Sequence, residues 1–155
     1  SFQKTFEAEG FKYPVLVRPA TSQTGRDLVK IDTPFDWTKV YKTHWYGKYH
    51  YMTQFVDYKE DDGLYTKIRA VIVGDSFSIR HVKFSQNWLI HGGRGNKRSQ
   101  ENVKKEIDLI QVLERKNYFV RLMRDIRSRS QMDYFGVDLG ISRGGFLLFE
   151  ANADR

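Results

Sequence analysis

The twenty residues from Asp133 to Asn152 constrain this chain more than any other stretch. They form two short apolar runs, around Val137 and Leu148, joined through Gly144 and Gly145, and they read as a β-hairpin turning at that glycine pair. Three oxygen-bearing side chains fall at matched places on it. Asp138 lies on one arm, Glu150 on the other, and Asn152 follows Glu150 at strand spacing. Residues two apart on a strand face the same side, so Glu150 and Asn152 point together, and a paired arm can bring Asp138 beside them. Two carboxylates and an amide oxygen on one face are the donor set of a hard cation such as Mg²⁺. An ordinary hairpin with polar residues turned to water is the competing reading.

A chain of 155 residues can bury one core, or two small subdomains sharing one. Hydrophobic content of 40%, aromatic content of 15% and only three prolines indicate a folded protein. The absence of cysteine excludes a disulfide framework, thiol catalysis and Cys-ligated zinc. It suits a reducing compartment, so a cytoplasmic location is expected. No apolar run approaches the ~20 residues that span a bilayer, so no membrane partner is expected. A net charge of +7 favours anionic partners, although much of the excess sits in Arg94–Arg98 and Arg115–Arg129, where a solvated helix face accounts for it. The chain starts at Ser1 within what looks like a helix end, so it is expected to be a piece of a longer protein.

Periodicity predicts strands over 13–19, 27–31, 49–57, 65–74 and 77–83, with the Gly74-Asp75 pair turning the last two into a hairpin. A short helix is predicted within 33–46. One long helix is predicted over 99–130, from Val103, Ile107, Ile110 and Leu113 and then Phe119, Met123 and Ile126.

Several segments ahead of the hairpin suit phosphate chemistry. A strand delivers Arg18 into the small-polar loop Thr21 to Gly25, whose backbone N–H groups can approach an anion. An ordinary hairpin connection has the same composition. The strand ending Gln54-Phe55-Val56-Asp57 could offer backbone groups to an adenine edge, or be a plain core strand. Arg69 is a cation inside an apolar strand, where burial demands an anionic partner, either a structural carboxylate or a reacting phosphate.

In this order the motifs resemble the ATP-grasp fold family, in its carboxylate–amine ligase-like branch. The resemblance covers nearly the whole chain. Gly136-Val137-Asp138 and Glu150-Ala151-Asn152 carry its specific part. Supporting matches are Pro14 to Pro19 with Ser22 to Gly25, Thr53 to Asp57, and Lys67 to Gly74. The family implies an α+β fold of two subdomains with antiparallel sheets and a long helix, the nucleotide lying between them. Residues 1–50 would be the smaller lobe, truncated at its N-terminal side, and 51–155 the larger lobe with the metal site. Carried over by position, Arg18 would touch the α- or β-phosphate, and Ser22, Gln23, Thr24 and Gly25 would cover the terminal phosphates. Gln54, Phe55 and Val56 would hold the adenine and Asp57 would reach the ribose. Arg69 would be catalytic, stabilising the acyl-phosphate transition state, and Asp138, Glu150 and Asn152 would bind one or two Mg²⁺ ions, with Mn²⁺ as an alternative. The partners implied are ATP, a small-molecule or peptide carboxylate, and the domain that relatives place ahead of this region. His81, Asn87 and His91 follow the Arg69 hairpin, where acceptor contacts gather, although structural or surface roles fit each equally well. Two departures stand out: Arg18 replaces a commoner lysine, and Lys67 stands where some relatives carry an acidic residue.

The implied activity is the ATP- and Mg²⁺-binding part of a ligase joining a carboxylate to an amine. A degenerate scaffold and a small-molecule kinase on the same fold are alternatives. A basic nucleic-acid-binding module using Tyr46, Tyr49, Tyr51, Trp88, Arg94, Lys97 and Arg98 is another. It is disfavoured because carboxylates at the tail repel a polyanion.

Overall fold

Alternation decides which face of each strand is buried. Along Tyr65–Val73, Thr66, Ile68, Ala70 and Ile72 are buried on one face, while Lys67 and Arg69 are only partly covered on the other. Along Tyr134–Ser142, Phe135, Val137 and Leu139 are buried and Asp138 is not. The computed structural model describes residues 2–22, 25–42, 49–90 and 99–153, so Gln23, Thr24, Tyr46, His91, Arg94, Lys97 and Arg98 lie outside the described residues.

The elements run α1 (Phe2–Ala8), β1 (Val15–Pro19), β2 (Val29–Ile31), α2 (Trp37–Val40), β3 (His50–Gln54), β4 (Tyr65–Val73), β5 (Ser76–Ser85), α3 (Gln100–Arg115), α4 (Asn117–Ser130), β6 (Tyr134–Ser142) and β7 (Gly145–Asn152). They form two units, Ser1–Val56 and Asp57–Arg155. The unit boundary falls six residues later than the 50/51 division read from the sequence. The reason is pairing: β3 is hydrogen-bonded antiparallel to β1, with Val15 opposite Gln54 and Pro19 opposite His50, and so belongs to the first sheet.

That first sheet has the order β2-β1-β3. Val15, Val17 and Ile31 cover Phe6, Trp37 and Val40, and the Trp37 indole N–H donates to the Tyr13 hydroxyl at 2.9 Å. A 3₁₀ turn, Pro34–Asp36, leads into α2. The Asp36 carboxylate accepts from the backbone N–H groups of Asp32 and Thr33, both at 3.0 Å, and this anchors the turn.

The second sheet is antiparallel throughout, in the order β5-β4-β6-β7. Its buried face packs Ile68, Ile72, Phe135, Val137 and Leu139 against Leu113, Phe119, Met123 and Ile126 of the helices. The single helix predicted over 99–130 is two helices, broken at Lys116, whose ψ of 120° is extended. Six residues separate Leu113 from Phe119, about 600° of helical rotation, which places them on different faces of one straight helix. Both are buried in the same core, and the break at Lys116 makes that geometry attainable.

The predicted apolar stripe also differs in detail. Ile107 is 49% exposed, whereas Glu106 is buried. Glu106 accepts from the Val82 backbone N–H at 2.9 Å, and Glu114 from that of Ile79 at 3.3 Å. Both donors belong to edge strand β5, so α3 supplies carboxylates that occupy an otherwise unpaired strand edge. No helix among the described residues is long and apolar enough to cross a membrane.

Candidate functional site

The tail hairpin forms as its pattern indicates, with Ser142 paired to Gly145 and a two-residue loop of Arg143 and Gly144. The loop thus sits one residue before the Gly144-Gly145 pair expected to turn it. Gly145 follows at φ +140°, a backbone region that favours glycine. Asp138 is opposite Glu150 in the register of β6 and β7, and opposite Arg69 in that of β6 and β4. His81 of β5 is in turn opposite Arg69. Directly opposed residues share a face. One polar row, His81–Arg69–Asp138–Glu150, therefore crosses all four strands on the face away from the helices. Asn152 joins it: its Nδ2 donates to Glu150 Oε1 at 2.8 Å.

Two cations hold Asp138. Arg69 Nη1 lies 3.0 Å from Oδ1 and Lys67 Nζ 2.9 Å from Oδ2. The anion sought for Arg69 is thus a carboxylate of the same row. Burial opposes ionisation of Asp138, but Lys67 and then Arg69 outweigh it and hold the carboxyl below its ordinary range. At the other end of the row, the Asn152 side-chain oxygen is buried with no hydrogen-bond partner among the described residues. A buried acceptor without a donor is costly unless something electropositive meets it. Glu150, the Asn152 oxygen and Asp138 therefore fit a divalent cation in donor chemistry. Among the described residues, no group of three or more His, Cys, Asp or Glu side chains is arranged to hold a metal ion.

Gly136 makes room for the row. A Cβ at that position would lie 2.2 Å from Arg69 Nη2 and 2.5 Å from Cζ, so the guanidinium occupies the space a side chain would fill. Gly136→Ala is expected to cost about 1–2 kcal/mol by pushing the guanidinium off Asp138. In an Arg69→Ala background the same change should cost under about 0.5 kcal/mol. Urea denaturation of the four proteins of that cycle checks it; equal costs in both backgrounds would show that Gly136 does not act through Arg69.

The candidates from Arg18 to Asp57 are placed as follows. Arg18 projects from the less buried face of β1, over the Tyr51 ring at 5.5 Å, and its Nη1 donates to the Ser22 carbonyl at 3.3 Å. Ser22 is buried, its hydroxyl donating to the Pro19 carbonyl at 2.9 Å, which ties the loop to the strand end. Gly25 has φ +71°. The Gln54 side chain is fully engaged: Nε2 donates to the carbonyls of Lys12 and Pro14, both at 2.8 Å, and Oε1 accepts from the Lys12 N–H at 3.2 Å. Only its backbone remains for a nucleotide. Phe55 lies under the Lys30 ammonium at 4.1 Å, Val56 is exposed, and Asp57 Oδ1 accepts from the Lys59 N–H at 3.2 Å.

No protein-family model matches the sequence, and no curated protein matches it. Solved structures do. D-alanine–D-alanine ligase from Helicobacter pylori matches with a TM-score of 0.57 and 13% identity, over 97% of this chain and 45% of that one. Carboxyaminoimidazole ribonucleotide synthase from Aspergillus clavatus, in complex with ATP, matches with a TM-score of 0.51 and 13% identity, over 97% of this chain and 36% of that one.

The chain has the ATP-grasp fold. It spans under half the length of either of those ATP-grasp chains. Within this fold, the sequence pattern had left two contributors to the row unassigned. Lys67 stood out only as a departure from the ATP-grasp pattern, and Gly136 only as part of a motif. The available signal was spacing, since each lies two residues before a row member, Arg69 and Asp138, on the same strand. A groove of about 610 Å³ lies on the helix side of the second unit, lined by Lys105, Leu109, Tyr118 and Phe146 among others; it shares no residue with the row.

Proposed function

We propose that this chain is the ATP- and Mg²⁺-binding part of a ligase that joins a carboxylate to an amine through an acyl-phosphate. The observation that carries the reading is the row itself: a guanidinium, two carboxylates and an unpartnered amide oxygen on one sheet face of an ATP-grasp fold. Phosphoryl transfer to a carboxylate needs neutralised charge and alignment more than a protein nucleophile. Arg69 supplies fixed positive charge, oriented by Asp138 from one side and admitted by Gly136 below it. Glu150, Asn152 and Asp138 would hold Mg²⁺, whose role when bound is to screen phosphate charge and polarise the transferring group. Arg18, Ser22 and Gly25, with Gln23 and Thr24, are the proposed phosphate contacts, and the backbone of Gln54 to Val56, with Asp57, the proposed nucleoside contacts.

Calorimetric titration of ATP in the presence and absence of Mg²⁺ tests the reading. Wild type should bind Mg²⁺-ATP with an affinity that Glu150→Ala reduces by roughly 10–100-fold. Equal affinities in wild type, Glu150→Ala and Asp138→Ala would refute it. A second reading, a catalytically silent domain on the same fold, is favoured by one observation: Lys67 already neutralises Asp138. It predicts weak nucleotide binding and no ADP release with any carboxylic acid. A kinase on this fold would instead yield a phosphate ester.

A further inference from the structure

We propose that Lys67 is a tethered cation that competes with the divalent ion for Asp138 and limits the Asp138, Glu150 and Asn152 set to a single ion. This rests on the metal role proposed above and deepens it.

The donor atoms of the set divide into two groups. Both oxygens of Asp138 are engaged, Oδ1 by Arg69 and Oδ2 by the Lys67 ammonium. Glu150 Oε1 accepts from Asn152, which leaves Glu150 Oε2 and Asn152 Oδ1 without a donor among the described residues. The open donors thus lie together on β7, and the engaged ones lie on β6.

Lys67 is held in this place by its surroundings. Its side chain is 24% exposed and that of Asp138 13%, so the pair is poorly screened by water. The residue opposite Lys67 on β6 is Gly140, and the space over it is filled by the rings of Phe149 and Tyr58. The Phe149 ring lies 6.0 Å from the ammonium on one flank. Lys67, Arg69, Asp138 and Glu150 together carry no net charge. A first divalent ion has Glu150 and Asn152 open to it and draws on Asp138 only in competition with Lys67. A second would have to take Asp138 from Lys67 and sit beside its charge. An adjacent charge changes a carboxylate's affinity for another cation by roughly one to three powers of ten. Arg69 does not serve in the same way: its guanidinium is packed over Gly136 and engages the other oxygen of Asp138, Oδ1.

Mn²⁺ binding, followed by the electron paramagnetic resonance of the free ion on the intact chain, tests this without nucleotide or turnover. Wild type should bind one Mn²⁺ per chain. Lys67→Gln should bind a second ion, or bind the first about tenfold more tightly. Lys67→Arg, which keeps the charge, should behave as wild type. A structural role for Lys67 would alter folding stability in Lys67→Gln and leave the Mn²⁺ isotherm unmoved. Two ions on wild type, or an isotherm in Lys67→Gln identical to wild type, would overturn the proposal and leave the metal site standing, provided that Glu150→Ala abolishes binding. Mn²⁺ binding unaffected by Glu150→Ala would overturn both. The wild-type stoichiometry decides the matter even if the glutamine variant does not fold.

Discussion

Replacing Asp138 by alanine is expected to cost about 3 kcal/mol of folding stability at neutral pH, besides weakening Mg²⁺-ATP binding. Asp138 is an anion between two cations, with Lys67 and Arg69 at 2.9 and 3.0 Å. Their side chains are only 24% and 20% exposed, so its removal leaves two poorly hydrated like charges side by side. The effect has a pH signature of definite sign. The folded carboxyl is held below its ordinary value of 3.8, so its contribution is fully present above that value and is lost as pH falls through the lower folded one. The stability gap between wild type and Asp138→Ala should therefore be wide at pH 7 and should close in strong acid. Urea denaturation across that range measures it. A gap that stays constant with pH, or a variant as stable as wild type, would show that the ion triad is not formed in solution.

Phe119→Ala is expected to cost about 3–5 kcal/mol, the range for deleting a fully buried aromatic side chain. Phe119 is 0% exposed and stands edge-on to Phe77 at 5.7 Å and to Phe146 at 5.2 Å. Those two rings belong to β5 and β7, the outer strands of the four-stranded sheet. One side chain at the start of α4 thus packs against both ends of the sheet whose other face carries the polar row. Loss of the ring leaves a cavity that neither strand can fill without losing register with β4 or β6. Phe119→Leu, which keeps most of the volume, should cost less than about 1.5 kcal/mol. Thermal and urea denaturation of the two variants check the ratio. A cost under 1 kcal/mol for the alanine variant would mean that α4 does not hold the sheet.

The tail hairpin was legible because its information is local. Period-two spacing put Glu150 and Asn152 on one face; that Asp138 meets Glu150 rather than Phe149 was not legible, because it depends on a bulge between Asp138 and Leu139 and not on the loop. Arg69 was legible by exclusion, since a guanidinium within an apolar strand requires an anion. That this anion is Asp138 was not legible, because β4 and β6 are 60 residues apart and their register is set by packing against α3 and α4. The same non-local pairing hid Lys67, whose partner lies across the sheet, and moved β3 into the first unit. The helix break at Lys116 could have been read from the six-residue step between Leu113 and Phe119, which no single helical stripe accommodates. Glu106 could not, because its burial depends on the bare edge of β5 lying beneath it. What the Gln54 side chain does was not legible either: it ties Lys12 and Pro14 to the end of β3, partners 42 and 40 residues away in the chain, and leaves the backbone for the proposed nucleoside contact.

The most direct test of the central claim is the position of the ion itself. Crystals grown with Mn²⁺ and a non-hydrolysable ATP analogue, measured for anomalous scattering, would locate it without reference to activity. The account predicts a manganese peak at oxygen-coordination distance, roughly 2.0–2.6 Å, from the Glu150 carboxylate and the Asn152 side-chain oxygen, beside the triphosphate. A bound nucleotide whose ion lies away from both residues would contradict it.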